Sequence, residues 1–170
     1  MGRLKKTFEP STNCNFAVTV VFTNTTAKTH KRTHKIPYHT EVTMTLLDIV
    51  RKHFGDNAHY RQHDGRVVIA TNDFGHGYDE SIALCIYQDV DGAVVITDCH
   101  TVADYTEVLG VDMSKRSRAI YKIAKHNNMS FDGKVYSAKY YVSGEVWITH
   151  YLDRFLQAVK DICAVYYTMS

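Results

Sequence analysis

Residues 82–97 read "IALCIYQDVDGAVVIT". Ile82 to Gln88 is apolar at nearly every position, and so is Ala93 to Thr97 beyond the short break "DVDG". Asp and Gly at that break supply the side-chain hydrogen bonds and the positive φ that a tight hairpin needs. Strands that are apolar on both faces lie inside a sheet rather than along its edge. This stretch therefore predicts two antiparallel strands, at least one of them central.

Upstream, Arg66 to Thr71 reads as a further strand, separated from the pair by the loop "NDFGHGYDES". Before it a helix starts near Thr45, whose hydroxyl can cap free backbone N–H groups. Leu46, Leu47, Val50 and Phe54 form its apolar face, and Gly55 closes it. Downstream, Asp98 caps a helix from Thr101 to Leu109 that ends at Gly110, and Ser114 caps a second helix that runs to Asn127. "SFDGKVYSAKYYV" reads as a hairpin around Asp132-Gly133. A long helix spans about Glu145 to Tyr167, where Ile148, Leu152, Phe155, Val159, Ile162 and Tyr166 keep a sustained apolar seam. The expected fold is α+β: an antiparallel sheet of about five strands packed by N- and C-terminal helices. A helix pair is inserted after the third strand.

The domain is expected to begin at Met44 and run to residue 170. Residues 1–43 then form a basic N-terminal arm with one strand, in which Phe16, Val18, Val20 and Phe22 alternate with smaller or polar residues. Residues 1–40 carry a charge balance of +6 within a chain whose net charge is +2. "MGRLKKTFEP" lacks the apolar run of a signal peptide. No apolar stretch approaches the roughly 20 residues of a membrane span. These features give the expectation of a cytoplasmic protein that does not engage a membrane.

The chemical candidates are tested by spacing. His59 and His63, and likewise His30 and His34, stand four apart, but in segments that read as loop or strand, and no further ligands follow at finger-like spacing. No metal and no cofactor is expected. Cys14, Cys85, Cys99 and Cys163 lie far apart and read as free thiols, three of them inside apolar patterns. Cys99 and His100 are adjacent at a strand end, where neighbours point to opposite faces and make a poor nucleophile–base pair. Asp89 and Asp91 read as turn residues rather than magnesium ligands. "FGHG" lacks the setting of a phosphate loop. No catalytic residue is assigned.

Two contact surfaces remain. Lys115, Arg118, Lys122 and Lys125 form a basic stripe on the second helix of the pair, and Lys28, Lys31, Arg32 and Lys35 sit on the arm. Together they are candidate contacts to nucleic acid or to an acidic partner. Leu109-Gly110-Val111 resembles the turn of a helix-turn-helix, but Arg116 stands where the second helix should pack inward. On the terminal helix, Trp147, Tyr151 and Leu156 add a second apolar flank beside the seam. Trp147, Tyr151, Phe155 and Leu156 are therefore candidate interface residues, for a homodimer or another protein. The alternative is that this flank is buried beneath the strand Phe16 to Phe22.

From Met44 to about Ile162 the chain resembles a small bacterial and phage family known only as a domain of unknown function. The matching residues are Asp91-Gly92, Thr97-Asp98, Gly110, Asp112, Arg116, Asp132-Gly133 and Phe155. A glycine usually follows the Thr-Asp pair in that family, whereas this chain has Cys99-His100. The resemblance implies carriage on phages or other mobile elements. The element order is also similar to that of small secretion-chaperone-like α+β domains, which bind other proteins. The functional expectation is a non-enzymatic protein-interaction module that acts on a host or phage protein, conceivably a defence protein. The alternative is a nucleic-acid-binding regulator that uses the arm and residues 114–127.

Overall fold

A computed structural model describes residues 44–74, 81–114, 117–142 and 144–170. The arm, with its strand and with Lys28, Lys31, Arg32 and Lys35, lies outside the described residues, as do Lys115 and Arg116.

Helix α1 (Leu46–Phe54) opens with a reciprocal cap. The Thr45 hydroxyl accepts from the Asp48 N–H while the Asp48 carboxylate accepts from the Thr45 N–H, so two otherwise orphaned donors are satisfied at once. Its buried residues are Leu46, Ile49 and Val50. Leu47 and Phe54 are only half-buried, so the inward face is turned slightly from the expected one toward Ile49. A 3-10 turn at Gly55–Asn57 leads into the sheet.

Among the described residues, strands β1 (Ala58–His63), β2 (Arg66–Phe74), β3 (Ser81–Gln88), β4 (Val94–Thr97), β5 (Ser130–Phe131) and β6 (Tyr136–Tyr140) form one six-stranded sheet. Its order is β1-β2-β3-β4-β6-β5, and every pair is antiparallel. The two strands of the opening quotation sit at its centre, as their two-sided apolar character requires. Gly92 takes φ +83° in the turn between them.

The sheet has one strand more than the sequence reading expects. In β1 only Ala58 is buried and Tyr60 half-buried, while His59, Arg61, Gln62 and His63 are exposed. An edge strand shows little hydrophobic pattern because it shares little of the core. Its signal lies in the turn, where Asp64 and Gly65 both take positive φ, as a two-residue hairpin loop demands.

Between β4 and β5 the chain forms α2 (Thr101–Leu109) and α3 (Arg118–His126), and α4 (Glu145–Tyr167) ends the domain. The expected cap of α3 is corrected. Ser117, not Ser114, accepts from the Ile120 N–H, while the Ser114 N–H turns back to the Asp112 carboxylate. Residues 110–117 therefore separate the helices, longer than the three- or four-residue turn of a helix-turn-helix.

The α4 seam packs onto the sheet: Ile148, Leu152, Phe155, Val159, Ile162 and Tyr166 are each at most 1% exposed. They close a single core with Val67, Ile69, Leu84, Ile86 and Ile96. Tyr166 also donates its hydroxyl to the Met113 carbonyl at 2.9 Å, which pins the α2–α3 connection to α4.

Candidate functional site

Two exposed surfaces and one buried junction hold the residues with chemistry to offer. The first surface is the outward face of α3. Arg118, Lys122 and Lys125 are all exposed, and their spacing of four and three sets them on one side of the helix. Ile120 is buried on the opposite side, with Ile123 and Ala124 packed beside it. Tyr121, 62% exposed, stands next to the stripe. Among the described residues no carboxylate pairs with Arg118, Lys122 or Lys125. Arg154 of α4 holds the helix end by donating to the His126 carbonyl at 3.2 Å and to the Asn127 side chain at 3.4 Å. An open groove of about 760 Å³ runs along this end, lined by Lys122, Ile123, Lys125, His126, Asn127 and Asp161.

The second surface lies where β6 gives way to α4. Strand alternation turns Tyr140 inward and Tyr141 outward, so Tyr140 is 7% and Tyr141 74% exposed. Tyr140 stacks on Tyr151 with ring centres 4.0 Å apart and hydrogen-bonds the Asn127 carbonyl. Tyr151 in turn carries Trp147 one helical turn earlier, at 6.4 Å. Tyr141, Val142, Trp147 and Tyr151 line an open hollow of about 280 Å³. Trp147 is 55% and Val146 76% exposed, so large apolar side chains gather at the surface. Phe155 and Leu156, expected beside them, are instead 0% and 5% exposed. They belong to this chain's own core, because the α4 face they occupy is the one laid on the sheet.

The rim of the hollow is ionic and mutually satisfied. Lys139 lies 2.9 Å from Asp89 and 2.7 Å from Asp91, and Tyr141 donates its hydroxyl to Asp91 at 2.9 Å. Hydrogen bonds from Lys139 and then Tyr141 hold the Asp91 carboxyl down to about 2, while Asp91 and Asp89 raise the Lys139 ammonium. Lys139 also sits 5.7 Å from the Tyr141 ring centre, within cation–π range. Two carboxylates against one ammonium leave the rim mildly acidic. The sequence reading placed Asp89 and Asp91 in the turn, where they do accept the Val90 and Ala93 N–H groups. Lys139 and Tyr141 do not stand out in the sequence. The available signal was the alternation through "KYYV", which must put one of two adjacent tyrosines outside.

The buried junction is Asp98, 0% exposed at the end of β4. Its carboxylate accepts the Tyr136 N–H of β6 at 2.9 Å and the Val102 N–H of α2 at 3.1 Å. It thus caps α2 as expected, but from upstream of the cap position, which His100 occupies. Burial nevertheless outweighs these bonds and pushes its carboxyl up to about 6. Cys99 and His100 follow with φ +49° and +69°, a region where glycine is at ease and other residues are strained. The Cys99 thiol is raised by burial and then by the Asp98 and Asp104 carboxylates. Cys163 is pushed up to about 12, chiefly by burial. Such thiols stay protonated at neutral pH, the opposite of an activated nucleophile. His59 and His63 are exposed on β1, where residues four apart along a strand stand about 13 Å apart. Among the described residues, no three His, Cys, Asp or Glu side chains gather as metal ligands, and no helix is long and apolar enough to cross a membrane.

Comparison with protein-family models, curated proteins and solved structures finds no match to this chain.

Proposed function

We propose that this chain is a protein-interaction module whose contact surface is the aromatic hollow of Tyr141, Val142, Trp147 and Tyr151. The observation that carries the reading is that the only tryptophan and exposed Tyr141 line one hollow, Trp147 stacked on Tyr151 and Tyr141 held by Asp91. Large rigid aromatics lose little conformational entropy on binding and dominate interface energies, and so tend to be the anchors of protein contacts. The mildly acidic rim favours a partner that presents an apolar or aromatic side chain next to a basic one. The family resemblance adds a setting, a phage or other mobile element, in which the partner would be a host protein, including one of host defence. The test is affinity capture from a bacterial lysate by the full chain and by a Tyr141→Ala/Trp147→Ala variant. A protein captured by the first and lost by the second supports the reading, and equal capture by both removes it.

A second reading rests on a separate observation, the basic face of α3, which pairs with no carboxylate among the described residues and has exposed Tyr121 beside it. Lysine and arginine interleaved with an aromatic suit a phosphate backbone and a stacked base. Retention on single-stranded nucleic acid that falls steeply with salt, and is lost in Lys122→Glu/Lys125→Glu, would favour it over the first.

A further inference from the structure

Among the described residues, the helices cover one face of the sheet. The residues that alternate with the core positions form the other face, and pairing brings Val68 beside Cys85 and Tyr87 beside Val95. Cys85 is 6% and Val95 7% exposed, although neither belongs to the cluster that the helices close. Val68, Ala70 and Ala83 around them are half-buried. The side toward β1 is basic, with exposed Arg61 and with Arg66 placed 4.8 Å over the Tyr87 ring. A small apolar centre this well protected calls for a cover that is apolar and brings no positive charge.

Residues 10–27 of this chain have that character. They contain no charged side chain, and Phe16, Val18, Val20 and Phe22 fall on one side of an extended segment. At about 3.3 Å per residue, positions 23–43 span up to roughly 70 Å. A six-stranded sheet with neighbouring strands about 4.8 Å apart is only some 25 Å wide. The segment can therefore pass round the β1 edge from α1 and reach the centre of the open face. We infer that residues 16–22 dock across this face as an apolar ribbon, with the even-numbered side chains over Cys85 and Val95.

The cysteines provide the test. Full-length native protein is treated with iodoacetamide and the modified peptides are quantified, with Cys163 of the helix-side core as the reference for intact folding. The inference expects Cys85 to react about as slowly as Cys163 in the wild type. Val18→Asp/Val20→Asp should accelerate Cys85 at least tenfold relative to Cys163, while Thr19→Asp on the other side of the ribbon leaves it protected. Free reaction of Cys85 in the wild type, or continued protection in the double variant, overturns the inference. Protection that vanishes on dilution overturns it too, by assigning the cover to a second copy of the chain. A direct contact measurement accompanies it. With Cys14→Ser in place, Val18→Cys and Val20→Cys are oxidised separately, and at least one should form an intramolecular disulfide with Cys85. A Cys85 disulfide in neither variant contradicts docking on this face.

Discussion

Two apolar stripes run side by side along α4, and they meet different fates. Ile148, Leu152, Phe155 and Val159 lie against the sheet at 0–1% exposure, whereas Val146 and Trp147 on the neighbouring flank remain 76% and 55% exposed. Both stripes are hydrophobic, so hydrophobicity alone does not separate core from contact surface. What separates them is what each faces: the seam is packed into the core with the sheet, whereas Trp147 borders an open hollow with Tyr141, Val142 and Tyr151. The seam should therefore govern stability and the flank should govern association.

The largest effect expected from this contrast is on the seam. Phe155→Ala should cost about 3–5 kcal/mol, because the cavity cannot fully close. Trp147→Ala should lie within about 0.5 kcal/mol of the wild type, as surface changes do. Urea unfolding of both variants checks the pair, and a Trp147 cost equal to that of Phe155 would break the contrast.

Asp98 extends the contrast to a buried charge. Its carboxyl titrates at about 6 in the fold against 3.8 unfolded, so between these values the folded state holds a proton that the unfolded state has released. The stability contributed by this group is therefore lowest above pH 6 and rises as pH falls toward 4, by on the order of 3 kcal/mol. Comparing urea midpoints at pH 7.5 and pH 5 should show the wild type gaining on Asp98→Asn, and parallel curves would contradict it.

Exposed His100 offers a smaller effect of opposite sign. With φ at +69°, His100→Gly should raise stability by about 1 kcal/mol by relieving left-handed strain. A loss of stability in thermal unfolding would instead show that the imidazole holds the turn. The smallest effect is on the rim of the hollow. Lys139→Ala should return the Asp91 carboxyl from about 2 toward the ordinary carboxylate range, since the Lys139 hydrogen bond is the main cause of its depression. Carbon-detected NMR titration reads this directly, and an unchanged Asp91 would remove the clamp from the account.

How much of this was legible beforehand follows from how residues share the core. β3 and β4 were readable because central strands are apolar on both faces, and α4 because its seam persists for most of its length. β1 was missed because an edge strand needs few apolar residues, although Asp64-Gly65 marked its turn. α3 was expected to begin at Ser114 because both serines are plausible caps, and only the Asp112 carboxylate, which takes the Ser114 N–H, distinguishes them. The aromatic hollow was half legible. Trp147 and Tyr151 showed as a second flank and Phe155 already stood in the seam by its spacing, but Leu156 is separated from that flank only by its burial in the folded core. Tyr141 and Lys139 join the site through contacts distant in the chain, for which local spacing holds no signal.

The central claim is that the Trp147 surface is where a partner binds. Because the chain has one tryptophan, labelling with 5-fluorotryptophan places a single fluorine-19 resonance in the hollow. In the isolated chain this resonance should be sensitive to solvent isotope and to soluble paramagnetic quencher. Adding the captured partner should shift it and abolish both sensitivities. A resonance that keeps its position and its quenching while the partner is bound would show that the partner binds elsewhere.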